Sequence, residues 1–401
     1  MTTGVRPLDV EPEPPRLGPL LAAAAMVALA GFGVFLASGG LSVSTPTTTA
    51  GPTTTTTTLP ETTVAPRSAN LGDKVAGFQG RVRGILSLDD GEGQTLSSAW
   101  TWSSGESEAR TVPLPDIAFG AWDRDLAMVA AVAESSFGRS LFFGPPGNVR
   151  EVFNDVESFA WHSTEPSTLA LISAPQADGL RELWRSIPDD STPARGTFNA
   201  SRVARFDIEA SLVAYADWGF ALAGVSPSGD LLLTTLDPDG NLVANGRFQF
   251  LDDFGDGSLL VIAEPQDPGP RLARVDTSLG DSELVGPEAA FGGVLSPNKR
   301  WVASTSILSG GATLWITEVA TGIGTPITLG VDVAFPSAWS SDGRWILLRG
   351  SPDAPAQQAS TQLIFVDAGS ERISIVESPG TVSSLTLEAL GTAGPSRFYV
   401  P

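Results

Sequence analysis

Two stretches near the C-terminus repeat one pattern in different residues. One reads Leu295-Ser-Pro-Asn-Lys-Arg-Trp301-Val-Ala-Ser304, the other Trp339-Ser-Ser-Asp-Gly-Arg-Trp345-Ile-Leu-Leu348. Each is a short apolar strand, a turn of Ser, Pro, Asn, Asp or Gly, a basic residue, a Trp, and a second strand. The two Trp lie 44 residues apart, the length of one four-stranded blade. Short strands repeating at that period predict a β-propeller. The repeat specifies an architecture and says nothing about a reaction.

From Asp73 onward, short apolar runs are broken every 8 to 12 residues by Gly, Pro, Asp and Ser, which is all-β patterning. Blade starts comparable to the two turns fall near Arg81, Trp122, Trp161, Phe206, Phe254, Leu295 and Trp339. That spacing predicts about seven four-stranded blades, with six or eight open because Val225-Ser-Pro-Ser-Gly-Asp-Leu231 also fits the turn and breaks the period. Val382 to Leu390 reads as a last strand that pairs with the first blade and closes the ring, removing two exposed sheet edges.

The N-terminal part has a different composition. Leu20 to Ala37 is an unbroken run of apolar residues and Gly, and no charged residue occurs between Arg16 and Glu61. At 1.5 Å per residue such a run crosses a hydrocarbon core of about 30 Å. Arg6 and Arg16 precede it, which predicts a cytoplasmic N-terminus and an exported C-terminal part. The alternative is a signal peptide cleaved at Leu36-Ala37-Ser38-Gly39. Residues 39–72 hold twelve Thr between Thr45 and Thr63, with Pro46, Pro52 and Pro60, and no hydrophobic period. This composition predicts a disordered spacer, a stalk open to O-glycosylation on Thr. The expected organisation is a cytoplasmic tail over 1–16, a transmembrane helix over 17–38, the linker over 39–72 and the propeller over 73–401.

The Ser-Pro-Asn-Lys-Arg-Trp301 and Ser-Asp-Gly-Arg-Trp345 turns, each followed by a Leu-Trp-Ile or Leu-Ile-Phe strand, resemble propeller repeats of the TolB type. Those divergent WD-repeat-like blades also form the N-terminal domains of prolyl oligopeptidases and dipeptidyl peptidases. The resemblance covers at most residues 73–401. Lys299 departs from it, standing where the repeat usually has Gly, and no Ser-hydrolase domain is expected after Pro401. The apolar segment with its Thr/Pro stalk is similar to many actinobacterial surface proteins.

Charge and chemistry narrow the function classes. The chain carries 45 acids against 24 bases, and almost all of the excess lies after residue 72. Such a surface disfavours nucleic acid and anionic headgroups, so no nucleic-acid partner is expected and the membrane is met only through residues 17–38. There is no Cys, hence no disulfide and no thiolate metal site. The one His in the chain, His162, stands beside Trp161, where packing is the default role. There is no G-x-S-x-G elbow, no H-E-x-x-H helix and no phosphate loop.

No catalytic, cofactor-binding or metal residue is therefore assigned. Asp89, Asp90 and Glu92, then Asp237 and Asp239, then Asp252, Asp253 and Asp256 form loop clusters whose oxygens would suit Ca²⁺, the one ion worth weighing, although β-turns demand Asp and Gly on their own account. Trp100 and Trp102 alternate and so share one strand face. Asn199-Ala-Ser201 matches a glycosylation sequon. The leading expectation is a membrane-tethered, extracytoplasmic platform for a protein or glycan of the cell envelope, without catalysis. The alternative is a carboxylate- or calcium-dependent hydrolase or lyase acting on glycans or phosphate esters.

Overall fold

The computed structural model describes residues 74–389, except 90–94, 115–116, 124–126, 136–137, 188–198, 227–228, 264–269, 309–310, 352–361 and 379. The expected transmembrane helix over 17–38 and the linker over 39–72 lie outside the described residues. Among the described residues no helix is long and apolar enough to cross a membrane.

Seven antiparallel four-stranded sheets follow one another along the chain, so the fold is an all-β propeller of seven blades. The first strands of blades 2 to 7 are Ile117–Trp122, Val156–Trp161, Ala210–Ala216, Phe248–Asp253, Ala290–Leu295 and Val333–Trp339. First strands of neighbouring blades lie against one another, which places them innermost in the ring. In most blades the first strand carries a register shift, as between Pro336 and Ala338, and such a bulge sharpens local twist.

Blade 1 is completed from the far end of the chain. Its innermost strand is Thr381–Ala389, which pairs antiparallel with Gly80–Asp89, followed by Thr95–Ser103 and Arg110–Pro113. The last strand thus closes the ring as its residues predict. Two other expectations need correction. Phe206 does not open a blade: it ends the outermost strand of blade 3, Asn199–Phe206, and blade 4 begins at Ala210. The Val225–Leu231 turn joins the second and third strands of blade 4, at the opposite mouth from the Trp301 and Trp345 turns. Its Ser226 hydroxyl accepts the Asp230 N–H at 3.0 Å, so the same local chemistry serves a hairpin at either end of a blade.

The core is distributed between the blades. Even strand positions pack against one neighbour and odd positions against the other, because successive side chains alternate. In blade 7, Ile346 and Leu348 join the cluster shared with blade 6, while Trp345 and Leu347 join the one shared with blade 1. Trp100 and Trp102 do share a face, inside that second cluster, with ring centroids 6.1 Å apart. Trp345 is buried, and Trp301 packs half-buried against the blade 6–7 cluster.

Candidate functional site

Strands one and two, and strands three and four, turn at the same mouth of the ring. There the chain places most of the residues singled out above. In blades 2, 3, 5, 6 and 7 the residue directly after the innermost strand opens the first turn, and its backbone N–H donates to the start of the second strand. Asp123 bonds Met128 O, His162 bonds Thr168 O, Phe254 bonds Ser258 O, Ser296 bonds Trp301 O and Ser340 bonds Trp345 O, all at 2.8–3.0 Å. Five residues of four types thus hold one topological place.

Four of them also supply a side-chain acceptor to the turn they open. Ser296 Oγ accepts the Trp301 N–H at 3.0 Å and Ser340 Oγ the Trp345 N–H at 2.8 Å. Asp123 Oδ1 accepts Ala127 N–H at 2.8 Å and Met128 N–H at 3.0 Å. His162 Nδ1 accepts Glu165 N–H at 2.9 Å and Thr164 N–H at 3.3 Å. In blade 5 the acceptor comes one residue earlier, where Asp253 Oδ1 takes Gly255 N–H at 2.8 Å. Blade 4 has no need of one, because Asp217-Trp218 closes a hairpin with Ala216 opposite Gly219.

These bonds define the state of His162. An Nδ1 that accepts two backbone N–H groups carries no proton, so the hydrogen sits on Nε2. Nε2 faces Asp217 Oδ1 of blade 4 at 3.6 Å, and the ring meets Tyr215 edge-on with centroids 4.5 Å apart. The imidazole is 4% exposed. His162 therefore ties blade 3 to blade 4, and Ser163 N–H strengthens the tie by donating to Tyr215 O at 2.9 Å. Burial raises the Tyr215 phenol above its usual range.

Blade 7 shows how the repeat's basic residue is used. Arg344 grips Asp367, on the third strand, through Nε at 3.2 Å and Nη2 at 2.8 Å, and stacks over Trp345. Desolvation works to raise the Asp367 carboxyl, yet hydrogen bonds from Arg344, Ser370 and Gly369 with the Arg344 charge hold it below the usual carboxylate range. In blade 6, Arg300 and Glu318 repeat the pairing at 3.3 Å, more openly. Lys299 takes the left-handed conformation that Gly343 takes in blade 7, at φ 59° against 70°. That backbone costs an L-residue about 1 kcal/mol. In return its ammonium donates to Asp253 O and approaches Asp252 Oδ1 at 3.9 Å.

The loop carboxylates are placed as follows. Asp237 accepts Asp239 N–H, Asn241 N–H and the Asn241 amide at 2.8–3.0 Å, a self-contained turn that lowers its pKa, the Asn241 side chain contributing most. Asp256 takes Ser258 N–H and Arg274. Asp252 reaches across to blade 6, accepting Leu295 N–H at 2.8 Å. Desolvation raises its carboxyl, against the opposing pull of Lys299 and its N–H donors. Beside it, Asp253 Oδ2 is buried and has no protein partner. Asp90 and Glu92 lie outside the described residues. Among the described residues no three His, Asp or Glu converge closely enough to hold a metal ion. Asn199 of the sequon is exposed at the start of its strand.

Sequence reasoning missed two things. It did not equate Asp123 and His162 with the two Ser, and it passed over Arg349 on the second strand of blade 7. The signal for the first was present, since Asp123, His162 and Ser340 each directly follow a Trp that ends an innermost strand.

No family model matches the chain, and no curated protein matches it. Solved structures do. Acylaminoacyl peptidase from Pyrococcus horikoshii aligns over 74% of this chain and 50% of its own, at 12% identity and a TM-score of 0.50. This chain thus spans about half of that enzyme's length. TolB from Acinetobacter baumannii aligns over 78% of this chain and 68% of its own, at 14% identity and TM-score 0.42. The β-propeller domain of the Trilobed protease from Pyrococcus furiosus aligns over 80% and 95%, at 11% identity and TM-score 0.46. At identities this low the likeness speaks to the fold alone, and that fold is the seven-bladed β-propeller described above.

Proposed function

We propose that this protein is a membrane-tethered, extracytoplasmic β-propeller that binds a protein or glycan of the cell envelope and performs no catalysis. The observation that carries the reading is the use made of His162, the one His in the chain: Nδ1 is spent on two backbone N–H groups, and the buried ring packs edge-on against Tyr215. A general base needs a free lone pair facing its substrate, and this ring has none to offer. The Arg344 and Asp367 side chains are likewise occupied with each other, and Asp237 with the backbone of its own turn. What remains is a rigid ring with two loop-lined mouths, on a chain whose apolar run, flanking Arg6 and Arg16, and Thr/Pro spacer support tethering outside the cytoplasm.

A crosslinking pull-down from the cell envelope tests the reading. The full chain should capture a discrete partner, and His162→Ala should capture it equally well. Loss of a cellular phenotype in a normally folded His162→Ala protein would overturn it. A reporter active only in the cytoplasm, fused after Pro401, should stay dark.

A second reading has one observation of its own. The raised Asp252 carboxyl beside the unpartnered Asp253 Oδ2 suits a carboxylate- or calcium-dependent hydrolase or lyase acting on glycans or phosphate esters. A large calcium-dependent rise in melting temperature would favour it.

A further inference from the structure

Arg349 lies on the second strand of blade 7, Trp345–Ser351, close to the mouth opposite the turns described above. It pairs across the sheet with Phe335 on the innermost strand and Leu363 on the third. By strand alternation it shares the face of Leu347, whose cluster fills the seam between blade 7 and blade 1. Its side chain runs inward along the sheet, and Nε donates to Ser337 Oγ on the innermost strand at 3.2 Å. Ser337 is the bulged residue of that strand and donates in turn to Phe335 O.

Three other arginines drawn in from solvent each meet a carboxylate. Arg181 meets Glu157 at 2.7 Å, Arg344 meets Asp367 at 2.8 Å and Arg83 meets Glu388 at 3.6 Å. Arg349 is half-buried and meets none among the described residues. Its one hydrogen-bond partner among the described residues is a neutral hydroxyl, and burial lowers its affinity for the proton. Withdrawing a guanidinium from water without a counter-charge is costly, so a chain with this many acids to spare has an easy remedy it does not use. Among the described residues neither Nη nitrogen has a hydrogen-bond partner, and the residue keeps part of its surface open to solvent.

We propose that Arg349 is an anion-binding residue at the inner end of the blade 7–blade 1 seam, and that it takes a carboxylate from the bound partner. With Nε held by Ser337, the guanidinium presents its two Nη groups end-on, a fork that matches the two oxygens of a carboxylate. A monoanion neutralises the single charge completely. A phosphate dianion would leave excess negative charge inside a domain already rich in acids. The inference deepens the binding function proposed above by naming the chemistry of the ligand, and it stands whether or not the chain is tethered.

Phenylglyoxal labelling of the purified full chain, read residue by residue by peptide mass spectrometry, tests it without any envelope partner. Arg349 should be modified several-fold faster than Arg344, which Asp367 occupies. Acetate, a Glu-containing peptide or glucuronate should slow Arg349 labelling relative to chloride at equal ionic strength. The Glu peptide protecting best points to a protein partner, and glucuronate protecting best to an acidic glycan. The same carboxylates should raise the melting temperature of the wild type but not of Arg349→Met, and Arg349→Met alone should melt no lower than wild type, whereas Arg344→Met should melt lower. Protection by phosphate alone, no protection beyond chloride, or a melting loss in Arg349→Met as large as in Arg344→Met would each overturn the proposal. None of those results would bear on the pull-down, so the two readings fail separately.

Discussion

Blade 3 and blade 7 solve the same problem with different chemistry. In each, the residue after the innermost strand must satisfy the N–H groups of a tight turn. Blade 7 does it with Ser340, one hydroxyl and one bond to the Trp345 N–H. Blade 3 does it with His162, a ring that takes two N–H groups at Nδ1 and has a second nitrogen left to reach blade 4. The turn takes a side-chain acceptor from its opening residue in four blades and from the preceding Asp253 in blade 5, so residue types as different as Ser, Asp and His are admitted. Stability in the two blades is consequently distributed differently. Blade 7 relies on the buried Trp345 and the Arg344–Asp367 pair, and blade 3 on a polar tie across the blade boundary.

The comparison can be broken most severely at Trp345. Trp345→Ala removes a buried indole from the seam with blade 1 and should cost about 3–5 kcal/mol in denaturant unfolding. Trp301→Ala, at the same place in blade 6 but half-exposed, should cost clearly less. Equal losses would mean that the blades are not energetic equivalents of their positions.

Next comes the ion pair. Arg344→Met strands the buried Asp367 carboxylate and should cost about 3 kcal/mol near neutral pH, the low end for a broken buried pair because Arg344 is partly open to solvent. The sign with pH follows from the depressed Asp367 value. Its contribution is fully present above the unfolded carboxylate pKa of about 3.9 and is lost as pH falls through the lower folded one. Acid unfolding of Arg344→Met should therefore begin at higher pH than that of the wild type, as circular dichroism would register.

His162→Ala sharpens the other side of the comparison. It leaves the Thr164 and Glu165 N–H groups without their acceptor and opens space beside Tyr215, for a loss of about 1–3 kcal/mol. His162→Asn, which keeps an acceptor of similar reach, should recover part of it. An alanine variant as stable as the wild type would show that the ring is not the turn's acceptor.

The smallest effect tests the left-handed residue. Gly343→Lys in blade 7 forces an L-residue to φ 70° and should cost about 1–2 kcal/mol. Lys299→Gly in blade 6 relieves the same strain but gives up the contacts to Asp253 O and Asp252, so its net effect should stay within about 0.5 kcal/mol.

Sequence reading recovers the ring where residues repeat and loses it where only geometry repeats. Ser296 and Ser340 open near-identical turns, so their 44-residue spacing set the blade length, and the Val382 strand needed a partner that only blade 1 could provide. Blade 4 escaped because its first turn shrinks to Asp217-Trp218 while a Ser-Pro-Ser-Gly turn appears at its other end. A turn sequence reports the hairpin it closes and not which hairpin of the blade that is. Asp123 and His162 were visible as residues but not as counterparts of Ser, since hydrogen-bond acceptance is common to all three and side-chain identity is not. Arg349 was silent for another reason. In Trp345-Ile-Leu-Leu-Arg-Gly350 a basic residue reads as the exposed end of a strand, and only a count of partners reveals what it lacks.

The joining of Thr381–Ala389 to Gly80–Asp89 sets an order of events on the whole chain. The first blade stays one strand short until almost everything else has been synthesised, with the inner edge of Gly80–Asp89 unpaired and able to recruit a stray strand. Closing a contact between residues about 300 positions apart is entropically slow, so assembly of the ring should be governed by its last step. Chains stopped short of Thr381 would carry six complete blades and one open edge, and should associate with each other through that edge rather than stay monomeric.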